Sequence, residues 1–577
     1  MRIDPHSYAD LDQGTTRHVE LEWVVDMEAR RLTGVATLTL HAAGTGPLDL
    51  DSSDLHIESV EDDVGPVQWT SDVSDDIVGT RLRVHRERPT DTLRIRYHTG
   101  DASGLMWLEA AQTSGTTPFV LSQCQPIQAR SLAPLQDTPR ARMTYSATLT
   151  VPPSLTAVMS AAPGVVQADG RVRFEMPQPI PPYLLALAVG ELDSRDLGPR
   201  TRVFAEPAVI EAAAWEFADV ERMLETAEEL FGPYAWERFD FIVLPASFPL
   251  GGMENPRMTF LTPTLVAGDR SLVGVLAHEL AHSWTGNLVT NADNEHFWLN
   301  EGWTVYAERR ILEALYGTER ATQAAALGRQ HLDGVIASRH AAGDSTALTY
   351  SQTGLHPDDE FSQVPYEKGF LLVTALEQAV GRDAFDAFIA SYIQTFRFQS
   401  IDTQTFVDFV ADKLGPVLDL DPWLHGQGVP EGAPVFTSER LVQLHDLAGR
   451  WNEGARPASD EMSVTEKLYY LSCLPVLGAD DVEALDEALG LRLSKNAELR
   501  SVWLSCAARA HLAGEDDAIR DFVGTVGRTK LLVPIVRSLV AAERRPFASA
   551  LIDANQERLH GSTVRSLTRW LGTASSA

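Results

Sequence analysis

Apolar and polar residues alternate at period two in Val35-Ala36-Thr37-Leu38-Thr39-Leu40, Arg81-Leu82-Arg83-Val84 and Leu93-Arg94-Ile95-Arg96-Tyr97. Each run puts every second side chain on one face, the pattern of half-buried β-strands. Turn residues separate the runs, so residues 1–197 are expected to form an N-terminal β-sheet domain. The period changes after Leu197-Gly198-Pro199: from Pro207 onward, Ile210, Phe217, Val220, Leu224, Ala227 and Phe231 lie 7, 3, 4, 3 and 4 apart, one face of a helix. A Gly/Pro-rich stretch from Gly426 to Pro434 reads as a linker, closing a second domain over 198–433. Beyond it, Glu466 to Leu474, Asp481 to Leu489, Glu498 to Leu512 and Leu531 to Ala542 have helical spacing with short connections. A third domain, 434–577, is therefore expected to stack antiparallel helix pairs, with no fixed repeat period. The fold class is multidomain α+β.

Length agrees with three domains, since 577 residues at roughly 100–200 per domain exclude a single compact unit. Acidic residues number 80 against 48 basic ones, a net charge of -32. That excess repels a phosphate backbone or an anionic membrane surface, so no nucleic acid and no membrane is expected as partner. Three cysteines, Cys124, Cys473 and Cys506, cannot staple so long a chain and point to a reducing, cytoplasmic setting. The residues after Met1 contain no apolar signal core, and the longest apolar stretch, Tyr183 to Val189, is too short to span a bilayer.

Candidate chemistry concentrates in Leu276-Ala277-His278-Glu279-Leu280-Ala281-His282. On a helix, His278 and His282 at i and i+4 project from one face and can share one ion, with Glu279 beside it. Such a pair needs a third ligand, and Glu301 in Asn300-Glu301-Gly302-Trp303 lies on a second helical pattern, with eighteen residues between it and His282. Two histidines and one glutamate leave the fourth position of a tetrahedral zinc open, as a catalytic site requires. Glu308, seven residues on along the same face, is a candidate to orient a ligand. Upstream, Gly251-Gly252-Met253-Glu254-Asn255 pairs two residues that permit close backbone approach with an acid.

Taken with the zinc motif, the stretch from Gly251 to Glu301 resembles the M-one family of zinc aminopeptidases, the gluzincins. Ser283-Trp284-Thr285-Gly286-Asn287-Leu288-Val289-Thr290-Asn291 and Pro263 to Asp269 are most similar to its leukotriene A(4) hydrolase branch and that branch's microbial relatives. The resemblance implies an N-terminal β domain, a thermolysin-like catalytic zinc domain and a C-terminal α-helical superhelix, with one Zn²⁺ per chain. It implies that Gly251, Gly252, Met253 and Glu254 grip the free N-terminal residue, with Gln125 of Ser122-Gln123-Cys124-Gln125 helping to hold the amine. Val364-Pro365-Tyr366-Glu367-Lys368-Gly369-Phe370 matches the segment of the catalytic tyrosine, which makes Tyr366 the donor to the developing oxyanion. Asp358 falls where the branch has an aspartate used in epoxide opening. Arg528 and Lys530 match a pair that holds a substrate carboxylate. Leu250 and Phe361 stand where the eukaryotic lipid-processing member has tyrosines.

The activity so implied is hydrolysis of the first peptide bond of short peptides with a free N-terminus, by a monomer, with Glu279 as general base and then acid. Two alternatives accompany it: a bifunctional epoxide hydrolase using Asp358, and a non-catalytic peptide-binding relative. The intact Glu279 argues against the latter, because binding alone needs no general base.

Overall fold

The computed structural model describes residues 3–458 and 462–572. Arg31–Ser52 and Gly79–Thr99 form two long antiparallel strands, with Leu38 opposite Leu93 and Leu48 opposite Val84. The runs Arg81–Val84 and Leu93–Tyr97, expected as separate strands, are thus parts of one. Pro89 has no N–H to give a ladder, and it falls in an irregular stretch between Arg86 and Thr90 opposite Gly44 and Gly46. An irregularity there takes up the mismatch without ending the pairing. Thr16–Asp26 pairs antiparallel with Arg31–Ser52 and parallel with Met143–Thr150, at the centre of an eight-stranded sheet.

A four-stranded sheet follows, in the order Leu105–Leu108, Phe119–Ser122, Leu187–Gly190, Thr156–Met159. Its second strand ends at Ser122, which delivers Gln123 and Gln125 to the boundary with the next domain. The helical face expected from Ile210 to Phe231 is divided between two helices, Ile210–Glu216 and Val220–Phe231. Ile210, Phe217, Val220, Leu224, Ala227 and Phe231 are nonetheless all buried. Apolar spacing reports which side faces the core, and a turn that re-aims the chain can preserve it.

The second domain contains a five-stranded sheet in the order Asp193–Asp196, Thr201–Ala205, Phe239–Val243, Thr259–Leu261, Gly252–Met253. Its first strand precedes residue 197, so the hairpin joining 193–196 to 201–205 straddles the expected domain limit. Buried apolar residues from Val19 to Leu424 make one continuous core, so the first two domains are welded along their interface. The C-terminal helices bury a core of their own, including Trp451, Trp503, Leu532 and Leu567. They dock through the loop before Thr529–Ala541: Thr529 N–H donates to Pro249 O at 2.9 Å. A Cβ on Gly527 would lie 2.2 Å from Ala246 O, so only glycine allows that approach. All three cysteines are free. Among the described residues, no helix is long and apolar enough to cross a membrane.

Candidate active site

Two packed helices position the candidate metal ligands: α1, Val273–Ala281, and α2, Trp298–Tyr316. His278 lies in the last turn of α1, and His282 follows as its C-terminal cap residue. Their Nε2 atoms are 3.2 Å apart. Glu301, in the first turn of α2, places Oε2 3.3 Å from His278 Nε2 and 3.6 Å from His282 Nε2. Ligands about 2.05 Å from a tetrahedral zinc stand roughly 3.3 Å apart, so these three atoms have the spacing of one ion's coordination shell. Glu301 Oε2 is buried without a hydrogen-bond partner, a costly condition that a cation at this point removes.

The imidazoles are held from behind. His278 Nδ1 is 3.1 Å from Glu308 Oε2, and His282 Nδ1 is 3.2 Å from Thr285 O and 3.1 Å from Thr304 Oγ1. With each Nδ1 donating outward, each Nε2 lone pair points at the common centre. Gly286, at φ 121°, gives the turn after His282 its path; a Cβ there would lie 2.6 Å from His282 Nδ1.

Glu254, Glu279, Glu301 and Glu308 gather around two histidines. Burial pushes the Glu279 carboxyl well up, opposed by His278 and reinforced by Glu254, Glu301 and Glu308. Burial likewise raises Glu254. Four acids in so dry a place call for positive charge, and a divalent metal together with a substrate ammonium supplies most of it. The residues present therefore fit zinc.

Gly252–Met253 is the end strand of the catalytic sheet, paired only on the side of Thr259–Leu261. Next along the chain, the Glu254 carboxylate accepts from Gln125 Nε2 at 3.0 Å, while Asn287 Nδ2 donates to Glu254 O at 2.7 Å. One ligand atom each from Glu254, Glu279 and His282 lies within 4.8 Å of the others. Met253 Sδ also meets Gln123 Nε2 at 3.3 Å, so both glutamines at the end of the β-domain strand brace this segment.

Tyr366 sits in a single π-helical turn, Val364–Lys368, leading into α3, Gly369–Val380. Its ring stacks on His278 at 6.2 Å between centroids. Burial pushes its phenol well above the usual tyrosine range, and the carboxylates of Glu301 and Glu254 push it further, so the group is a hydrogen-bond donor. The turn is clamped on both flanks. Glu367 accepts from Arg309 of α2 at 2.8 and 2.9 Å, and Lys368 Nζ donates to Thr346 O at 3.0 Å and Gly426 O at 2.7 Å. Beneath it, Gly302 of α2 and Gly369 of α3 meet backbone to backbone: a Cβ on Gly302 would be 2.6 Å from Gly369 Cα.

Beside these groups opens a cavity of about 240 Å³, lined in part by Gln125, Leu250, Phe297, Phe361, Val364 and Asp358. Asp358 faces Arg565 of the C-terminal domain at 3.6 Å. Arg528 and Lys530 converge on one partner, Glu498 Oε1, at 3.0 and 3.2 Å. Arg528 is buried and its guanidinium abuts Gly251, whereas the Lys530 side chain is 61% exposed.

Three family models match the chain: "Peptidase M1 N-terminal domain" over residues 15–184, "Peptidase family M1 domain" over 215–423 and "Leukotriene A4 hydrolase, C-terminal" over 462–571. Leucine aminopeptidase 2 of Neurospora crassa is 35% identical, the alignment covering 100% of this chain and 91% of the relative. The chain belongs to peptidase family M1. Leukotriene A-4 hydrolase of Xenopus laevis is 36% identical over 94% of both chains. The solved structure of yeast leukotriene A4 hydrolase with bestatin superposes with a TM-score of 0.93, at 33% identity over 99% of this chain and 98% of that one.

Within this family M1 chain, the fold brings together Gln125, Gly252, Met253, Glu254, His278, Glu279, His282, Glu301 and Tyr366, and sets Gly251, Asp358, Arg528 and Lys530 around them. Sequence reasoning missed Asn287, Thr304, the Gly302–Gly369 contact, the Arg309–Glu367 clamp and Glu498. Asn287 lies within the stretch 283–291, but nothing local shows that it spans to Glu254 O. Glu498 carries no signal at all, since it matters only because two cations from another helix reach it.

Proposed function

We propose that this family M1 protein is a zinc-dependent aminopeptidase that removes the N-terminal residue from short peptides. One observation carries the reading: the buried Glu254 carboxylate, tied to Gln125, lies beside Glu279 and His282. A substrate ammonium nitrogen is separated from its own carbonyl carbon by only about 2.5 Å. An ammonium held by Glu254 and Gln125 therefore leaves room for the first peptide bond, and no other, at the reacting position. The names of the leucine aminopeptidase and leukotriene hydrolase relatives agree with this assignment.

His278, His282 and Glu301 hold the metal, which when bound supplies a Lewis acid and a water of lowered pKa. Glu279 accepts the attacking water's proton on its carboxylate and returns it to the leaving amine. Tyr366 donates a hydrogen bond from its neutral phenol to the substrate oxygen on which negative charge develops, and brings no charge of its own. Arg528 stands ready for the carboxylate of a short peptide, in competition with Glu498, and Lys530 contributes weaker, exposed charge. Phe361 and Leu250 give the adjoining cavity apolar walls. The epoxide hydrolase alternative rests on Asp358 lining that cavity, but the same carboxylate is engaged by Arg565. We read the protein as a cytoplasmic monomer with no nucleic-acid partner, on its free cysteines and its net charge of -32.

Release from amino-acid arylamides with and without a chelator tests the assignment. Activity is expected to vanish on chelation and to return with zinc. Glu279→Gln should keep the metal and lose about a hundredfold or more in turnover. N-acetylated peptides, which have no ammonium for Glu254, should resist cleavage. Hydrolysis of a blocked peptide at an interior bond would make the protein an endopeptidase.

A further inference from the structure

The aminopeptidase reading leaves open which first residue is accepted, and the cavity beside Gln125 bears on it. Gln125 both braces Glu254 and lines this space of about 240 Å³. The first residue's side chain leaves the same Cα as its ammonium, so this cavity is within its reach. Leu250, Phe297, Leu348, Phe361 and Val364 supply apolar wall, but Asp358, Asp359 and Glu360 also line the cavity. Three consecutive acids in a substrate pocket would by themselves invite lysine or arginine.

Each acid is already answered by a cation. Glu360 Oε2 binds Arg339 at 2.9 Å and the Tyr350 hydroxyl at 2.6 Å. Asp358 faces Arg565 at 3.6 Å, and Asp359 binds Arg569 at 2.9 Å. Arg565 and Arg569 are four residues apart on the last helix, Gly561–Gly572, and both line the cavity. The C-terminal domain thus sets two positive charges against the acids of the catalytic domain, and the cavity is apolar with balanced charge.

We propose that Arg565, supported by Arg569, determines specificity for the first residue: it neutralises Asp358, so the pocket takes large neutral side chains such as leucine, methionine and phenylalanine and disfavours lysine and arginine. This deepens the aminopeptidase reading and rests on it. A basic side chain entering the cavity finds each of its three carboxylates already facing an arginine, with Arg565 and Arg569 among the lining residues. Like-charge juxtaposition is how a pocket rejects a competitor that its walls could otherwise accommodate.

The test measures kcat/KM for leucine, phenylalanine, lysine and arginine arylamides on the full-length zinc enzyme. The wild type should prefer the neutral pair by about tenfold or more. The Arg565 side chain is 62% exposed, so Arg565→Ala does not threaten folding. In that variant the ratio of basic to neutral substrates should rise roughly fivefold, the scale of one unpaired charge in a partly solvated site. Arg565→Lys, which keeps the charge, should retain the wild-type ratio, and Asp358→Asn added to Arg565→Ala should remove the gain. A wild type that prefers basic residues, an unchanged ratio in Arg565→Ala, or an equal shift in Arg565→Lys would each overturn the proposal. Release from none of the four arylamides would overturn the aminopeptidase reading, and this proposal with it.

Discussion

Gly302→Ala adds one methyl at the point where the metal-ligand helix and the tyrosine segment touch. That methyl would lie 2.6 Å from Gly369 Cα, 2.8 Å from Gly369 C and 3.0 Å from Pro365 O, whereas ordinary contact begins near 3.4 Å. The shortfall of about 0.8 Å is against backbone on every side, so no rotamer change relieves it. The two segments must separate by most of an ångström. Overpacking of this kind costs about 1–3 kcal/mol, or a melting midpoint lower by about 5 °C for a domain of this size. Tyr366, next to Pro365, moves with its segment, while His278 and Glu301 stay with α1 and α2. A misplacement near 1 Å costs roughly a hundredfold, so turnover should drop by that order while zinc content stays at about one per chain. The assay is leucine-arylamide turnover alongside metal analysis and thermal melting. Gly334→Ala is the control: its Cβ meets nothing within 4 Å, in helix Thr318–Ala342. There the same change should leave activity intact and stabilise by about 0.5–1 kcal/mol. Wild-type turnover and melting in Gly302→Ala would refute the claim that this contact sets the tyrosine against the metal ligands.

Glu308→Ala removes the acceptor for His278 Nδ1 and should weaken zinc binding about 10- to 100-fold in chelator competition; unchanged affinity would deny Glu308 that role. Burial, reinforced by Arg565, pulls His560 down to about 4. Because that lies below its unfolded value near 6.5, the folded chain binds fewer protons than the unfolded one between these values. The stability contributed is full above pH 6.5 and is lost as pH falls through 4, at most on the order of 3 kcal/mol. Melting from pH 4 to 7 should therefore be flatter in His560→Gln than in the wild type, and parallel profiles would refute the assignment. Arg528→Ala should lower kcat/KM about tenfold on a free tripeptide and much less on its amide. Glu498→Gln, which releases both cations, should raise it on the free tripeptide, and equal effects on both substrates would place the pair outside carboxylate recognition.

Much of the site was legible because it is local. His278 and His282 share a helical face by spacing alone, and Glu279 follows from its position between them. Two histidines with a glutamate on a second helical pattern already specify a metal with an open position. Alternation likewise marked the N-terminal β domain, and apolar spacing marked the helices beyond residue 434. These are properties of period and spacing, which a chain carries whatever its tertiary fold. The resemblance to a peptidase family then assigned Gln125, Glu254 and Tyr366, whose own residue types are unremarkable.

Tertiary structure alone decided what meets across long separations. Gln125 reaches Glu254 over 129 positions because the end of a β-domain strand abuts the edge strand of another sheet. Two alternating runs around Pro89 became one strand because an irregularity in the partner strand absorbed the break. Nothing local to Asp358, Asp359 and Glu360 shows what they pair with, yet Arg565, Arg569 and Arg339 answer them from helices 21 to more than 200 residues away. Charge composition cannot foresee this, since a carboxylate's character depends on which cation the folded backbone carries to it. Periodicity is written residue by residue, whereas pairing between distant side chains exists only once the packed core has fixed the separation of the elements that bear them.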